Sequence, residues 1–160
     1  MHFSVRVIAL LLSFASFSLS AAEPLVIELK SEKVTTLTVN GRSEERREAA
    51  KAVKPSDVIE YRAIYKNTSI NELRGVQAML PIPAGMTVDL SSAKPLPLQA
   101  SRDGRQFYPV PLTRQVRAAD GVLKTVNVPL SEYRALRWSL GALAAGASRE
   151  VVLRARVNAN

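Results

Sequence analysis

The chain reads as an all-β protein: an immunoglobulin-like antiparallel β-sandwich of seven to nine strands with an N-terminal β-hairpin extension. Three observations predict this class. Strand-like alternation recurs at roughly ten-residue spacing. Three dipeptides, Asn40-Gly41, Asp103-Gly104 and Asp120-Gly121, carry the strongest short-range hairpin signal. No stretch shows the apolar period of a long amphipathic helix.

The elements follow in order. Leu25 to Leu29 is a short apolar run, and Lys33 to Val39 is rich in β-branched residues before Asn40-Gly41. Arg42 to Lys51 is helical in composition, yet it has no apolar stripe to bury. It is read as the return strand of the hairpin, with a short exposed helix as the alternative. Pro55-Ser56-Asp57 makes a turn. From Val58 to Tyr65 the chain alternates: Ile59, Tyr61, Ala63 and Tyr65 point one way, Glu60, Arg62 and Lys66 the other, with Ile64 among them. Val76, Ala78 and Leu80 begin a further strand that Pro81 and Pro83 confine to an edge or a rigid exit. Ser91 to Pro97 reads as loop. The stretch Leu136 to Gly146 followed by Val151 to Val157 reads as a closing hairpin, with Leu136, Trp138, Leu140, Val151, Leu153, Ala155 and Val157 inward.

Residues 1–22 have the pattern of a secretory signal. Arg6 supplies a positive start, Val7 to Phe17 an apolar core too short to span a bilayer, and Ser20-Ala21-Ala22 small residues for cleavage between Ala22 and Glu23. The alternative, an N-terminal membrane anchor, is disfavoured by the serines that interrupt the apolar run. Removing 22 residues from 160 leaves 138, enough for one domain. Its organisation is expected as an N-terminal strand and hairpin over 23–52 joined to a sandwich over 53–160. Nothing after the leader is apolar for long enough to form a transmembrane helix.

There is no Cys, and the one His is His2, inside the leader. The mature chain therefore offers neither Ser-His nor Cys-His nucleophile pairs nor the usual zinc and copper ligands, and no metal or cofactor is expected. The net charge is +8, or +7 once Arg6 leaves. An exported basic domain is suited to anionic envelope material, whereas nucleic acid is not expected as a partner.

The segment Pro55 to Tyr65 with Asn67 resembles the opening of the bacterial domain-of-unknown-function-eleven, or "conserved repeat", family. So do Leu80-Pro81 with Pro83-Ala84-Gly85, and Trp138, Leu140-Gly141 and Gly146 at the close. The resemblance covers residues 50–157. Ser56 stands where that family usually has Gly, and Ser69 likewise follows Asn67-Thr68 in place of Gly. The resemblance implies an immunoglobulin-like fold in an envelope or cell-surface protein and carries no catalytic residues. The disulfide crosslinking of its chlamydial cysteine-rich members does not transfer to a chain without Cys.

Several candidates for chemistry remain. Arg62, Lys66, Arg137, Arg154 and Arg156 fall on solvent faces of three strands. They would make one anion-binding patch if those strands were neighbours, and scattered charges otherwise. Trp138, Tyr61 and Tyr65 are candidates for a sugar-stacking platform but lie on faces expected to be buried, with each Tyr hydroxyl on a backbone partner. Asp57 and Glu60 are the carboxylates nearest a strand start, for a carboxylate-dependent glycan hydrolase. Asp57 is better used in its turn. Lys54 with Asn67 or Asn71 is a candidate internal crosslink. The expected function is thus a non-enzymatic binding or structural module of the envelope, periplasmic by default. Docking to another envelope protein through an edge strand is the alternative.

Overall fold

The computed structural model describes residues 24–97 and 99–159. The expected leader, with its Ala22-Glu23 junction, lies outside the described residues. Eleven strands follow in order: β1 (Leu25–Val39), β2 (Arg42–Ala49), β3 (Val58–Asn67), β4 (Leu73–Pro81), β5 (Met86–Lys94), β6 (Gln99–Ser101), β7 (Tyr108–Pro109), β8 (Thr113–Arg117), β9 (Leu123–Asn127), β10 (Ala135–Leu143) and β11 (Ser148–Val157). A single 3-10 turn spans Leu130–Glu132. The first sheet has the order β2-β1-β3-β11-β5 and the second β4-β10-β6-β7, while β8 and β9 pair with each other. All pairings are antiparallel.

The two sheets face each other across one core. Ile59, Ala63, Tyr65, Val88, Val151, Leu153 and Ala155 come from the first; Ala78, Leu80, Ala100, Leu136 and Trp138 come from the second. Alternation along each strand puts these residues on one face, and burying them supplies the main driving force. Trp138 is buried between the sheets, and its Nε1 donates to the Pro95 carbonyl at 2.7 Å. That leaves no buried indole N–H unsatisfied.

The hairpin over β1 and β2 forms as expected, with Asn40 and Gly41 both at positive φ (51° and 74°). That conformation is what a two-residue turn matched to strand twist requires. Arg42–Ala49 is strand, as its pairing with β1 demands, rather than helix. The hairpin is more than an extension: β1 is one continuous strand that pairs with β3 from Leu25↔Asn67 to Val34↔Val58, so it continues the first sheet.

Two expectations are corrected. The strands β10 and β11 do not form a hairpin. The former pairs with β4 and β6 and the latter with β3 and β5, so residues 144–147 cross from one sheet to the other. Inward alternation is the same whether two strands are neighbours or face each other across the core, so sequence pattern alone does not separate the cases. Asn67, fully buried, holds the crossing. Its Nδ2 donates to the carbonyls of Leu143 (2.9 Å), Ala144 (3.1 Å) and Asn71 (2.7 Å), and its backbone carbonyl accepts from Gly146 (3.1 Å).

The second correction concerns Ser91 to Lys94, which belong to β5 rather than to a loop. The register of β5 on β11 shifts between Val152 and Arg154. Here Ser92 Oγ accepts from the Arg154 amide at 2.8 Å, in place of a ladder bond. A bulge built on side-chain hydroxyls gives no apolar alternation to read.

Candidate binding surface

The pairing register places Arg62, Lys66, Arg154 and Arg156 on the outer face of β3 and β11, in the first sheet. Arg137 lies on β10, in the second sheet. The five residues are therefore not one patch. Across the first sheet the charges come in rows. Asp89, Arg154, Glu60 and Glu32 lie side by side, flanked by the row of Lys94, Val152, Arg62 and Lys30, which is followed by Glu150, Ile64 and Glu28. Acidic side chains thus sit against every basic one in the middle of the sheet.

Glu60 is the centre of this face and is 3% exposed. It accepts from Arg47 Nε at 3.1 Å, Arg62 Nη2 at 3.0 Å and Arg154 Nε at 2.9 Å. Arg154 also forks onto Glu45 at 2.6 and 2.7 Å, and Arg62 pairs with Glu150. Burial pushes the Glu60 carboxyl up, but the hydrogen bonds from Arg47, Arg154 and Arg62 outweigh it and hold the group at about 2. Glu45 is likewise lowered, chiefly by its hydrogen bond to Arg154. Three arginines and three glutamates neutralise one another, so Arg62 and Arg154 are committed within the protein. Lys66 is exposed at the end of β3, and Arg156 donates to the Ser56 carbonyl at 3.3 Å.

The outer face of the second sheet differs. Arg137 donates to Gln99 Oε1, 2.9 Å from its Nε, and its guanidinium lies 4.2 Å from the Phe107 ring centroid. No carboxylate pairs with it among the described residues. Register aligns Met79, Arg137, Gln99 and Pro109 across four strands. Two concavities meet at Pro109. One, of about 360 Å³, is bounded by Gln77, Gln99, Arg137 and Ser139. The other, of about 770 Å³, is bounded by Arg102, Asp103, Gln106, Tyr108 and Pro111.

The loop that builds the larger concavity is organised by Asp103. Its Oδ1 accepts from the Arg105 and Gln106 amides at 2.8 and 2.9 Å and from the Ser101 hydroxyl at 2.9 Å. The Gln106 and Arg105 amides, with that hydroxyl, lower its carboxyl to about 2. The turn at Asp103-Gly104 then delivers β7, where Tyr108 is 56% exposed and its hydroxyl donates to Gln106 Oε1 at 2.9 Å. Arg102 is held by Glu132 at 2.6 Å, and Glu132 also accepts from Arg114 at 3.0 Å.

Trp138, Tyr61 and Tyr65, the aromatic residues singled out in the sequence, face the core and are not available for stacking. Tyr65 follows expectation by bonding backbone: its hydroxyl donates to the Met79 carbonyl (3.4 Å) and accepts from the Met79 amide (3.3 Å), closing the outer edge of β4 there. Tyr61 does not; its hydroxyl meets Met86 Sδ at 3.1 Å. The exposed aromatic residue is Tyr108, which sequence reading passed over. Its signal is its place between an Asp-Gly turn and two prolines, where the strand is too short to bury alternate side chains.

Asp57 accepts from the Lys54 amide at 2.8 Å and pairs with Lys33 at 3.0 Å, which accounts for it within its turn. With Glu60 held by three arginines, neither carboxylate is arranged as a proton donor. Lys54 and Asn67 lie at opposite ends of β3, and the Asn67 amide is fully engaged. Among the described residues no group of three or more His, Cys, Asp or Glu could hold a metal ion, and no helix is long and apolar enough to cross a membrane. Comparison with protein-family models, curated proteins and solved structures finds no match.

Proposed function

We propose that the chain is an exported, non-enzymatic binding module of the bacterial envelope, acting in the periplasm or at the outer membrane, with the outer face of the second sheet as its contact surface. The observation that carries this reading is the difference in lining between the faces: the concavity of about 590 Å³ on the first is walled by Arg47, Glu60, Arg62, Glu150 and Arg154, which are ion-paired with one another, while those that meet at Pro109 are lined mostly by uncharged side chains such as Gln77, Gln99, Gln106 and Tyr108. The leader-like residues 1–22 support export. A mature chain without His or Cys, whose Asp57 and Glu60 are engaged by cations, supports a non-enzymatic role. The motif likeness at Pro55 to Asn67 and at Trp138 to Gly146 supports an envelope setting.

Co-sedimentation of the exported protein with isolated envelope fragments across a salt series tests the reading. Pelleting that persists as salt rises is expected, because the side chains that line the two concavities are mostly uncharged. Pelleting that vanishes with salt would move the contact to Lys66, Arg156 and their neighbours, since exposed charge is screened. No pelleting at low salt would overturn the reading.

A second reading, docking to an envelope protein through an edge strand, is favoured by β8 and β9. They form a two-stranded sheet with both edges open and with Val122 and Leu123 exposed (56% and 55%). Proline placed at outward-facing amides of β9 would abolish capture of such a partner and leave the Pro109 face unaffected.

A further inference from the structure

The concavity beside Tyr108, at the β7 edge of the second sheet, carries an inference about ligand chemistry, which rests on the reading of the chain as a binding module. We infer that it is a carbohydrate-binding cleft for an oligosaccharide of neutral pyranose rings, with the Tyr108 ring as the stacking surface and Asp103 and Gln106 as the groups that read its hydroxyls.

A sugar ring has an apolar C–H face and a rim of hydroxyls that both donate and accept. The cleft has the matching parts. Tyr108 stands more than half exposed beside Pro109 and Pro111, so aromatic and pyrrolidine surfaces lie together with nothing of the described chain covering them. An exposed aromatic ring with a polar tip is suited to a ligand that is apolar on one face and wet at its edge. The tyrosine hydroxyl is fixed on Gln106 Oε1, which sets both side chains and leaves Gln106 Nε2 to donate. Asp103 uses Oδ1 for its loop, which leaves Oδ2 to accept. A donor and an acceptor flanking one ring read neutral hydroxyls.

Charge argues for a neutral sugar over a phosphate or a carboxylate. The one guanidinium among the described residues that line the cleft, Arg102, is held by Glu132. Asp103 adds a negative charge of its own. The volume, about 770 Å³, lies within the range of small-molecule sites. Proline at 109 and 111 removes amide donors from this edge, so an added peptide strand finds no ladder there and the occupant must be read by side chains.

The test is calorimetric or NMR titration of the exported protein with three soluble tetrasaccharides at millimolar concentration: N-acetylchitotetraose, cellotetraose and maltotetraose. At least one is expected to bind. Tyr108→Ala should weaken it about tenfold, while Tyr108→Phe keeps the ring and most of the affinity. A wall-type glycan is distinguished from a plain glucan by which probe binds. Failure of all three sugars, or binding indifferent to Tyr108→Ala, overturns the inference. Envelope pelleting that survives Tyr108→Ala alongside such a failure would leave the binding-module reading standing without the glycan. Because Tyr108 is exposed, thermal melting of the variants separates lost binding from lost folding, and Gln106→Ala provides an independent variant of the same cleft.

Discussion

The two outer faces of this sandwich solve the same problem in opposite ways. Each sheet turns its alternate residues to solvent, and each puts arginine there. On the first sheet the register brings Glu60 beneath Arg47, Arg62 and Arg154, and the charges close on one another. On the second, Arg137 has only an amide and a ring for company, and the neighbouring strands are short and broken by proline. The difference teaches that a run of arginines on strands is not by itself a binding patch: what stands on the adjacent strand, in register, decides whether the charge is available.

Removing what both faces share has the largest effect. Trp138→Ala empties the space between the sheets and should cost about 3–5 kcal/mol, read by chemical denaturation. If the cost is below about 1 kcal/mol, the two sheets do not pack as one core.

Acid should destabilise the fold through the Glu60 cluster of the first face. The Glu60 carboxyl sits at about 2 in the folded protein against an ordinary 4.5. A depressed carboxylate stabilises the fold fully above its unfolded pKa, and that contribution is lost as pH falls through the folded value. The window is therefore from about pH 5 down to pH 2. The difference corresponds to about 3 kcal/mol. Glu60→Gln should remove this part of the acid dependence, and should cost about 2–3 kcal/mol at neutral pH, because the three arginines lose their shared anion but still reach water. A variant with an unchanged acid profile would show that Glu60 does not hold the face together.

A smaller effect of opposite sign is expected at the turn that leads into β3. Ser56 sits at φ 69°, a left-handed conformation that favours glycine, and its amide donates to the Val157 carbonyl at 2.9 Å. Ser56→Gly should stabilise the protein by about 1 kcal/mol, seen as a raised melting temperature. The smallest effect belongs to the second sheet: Tyr108→Ala should change stability by no more than about 0.5 kcal/mol, as befits an exposed side chain.

Much of the fold was legible in the chain. Alternation at Val58 to Tyr65 assigned both faces of β3 correctly, and Asn-Gly and Asp-Gly marked three real hairpins, because these signals are local. What was not legible depends on partners distant in sequence. The crossing between β10 and β11 looks like a hairpin because inward residues alternate identically in either arrangement, and only the buried Asn67, far away on β3, distinguishes them. The Glu60 cluster joins residues from β2, β3 and β11, so register, not composition, creates it. Tyr108 was hidden for a different reason: β7 is two residues long, too short to show alternation. Ser56, by contrast, lies in a turn that Pro55-Ser56-Asp57 marks locally, and its positive φ puts it where glycine would relieve strain.

Hydrogen exchange of residues 23–160, free and mixed with isolated envelope fragments, tests the division of labour between the faces most directly. The account predicts added protection over residues 99–113, around Tyr108 and Pro109, with β3 and β11 unchanged. Protection gained on β3 and β11, with residues 99–113 unaffected, would contradict it.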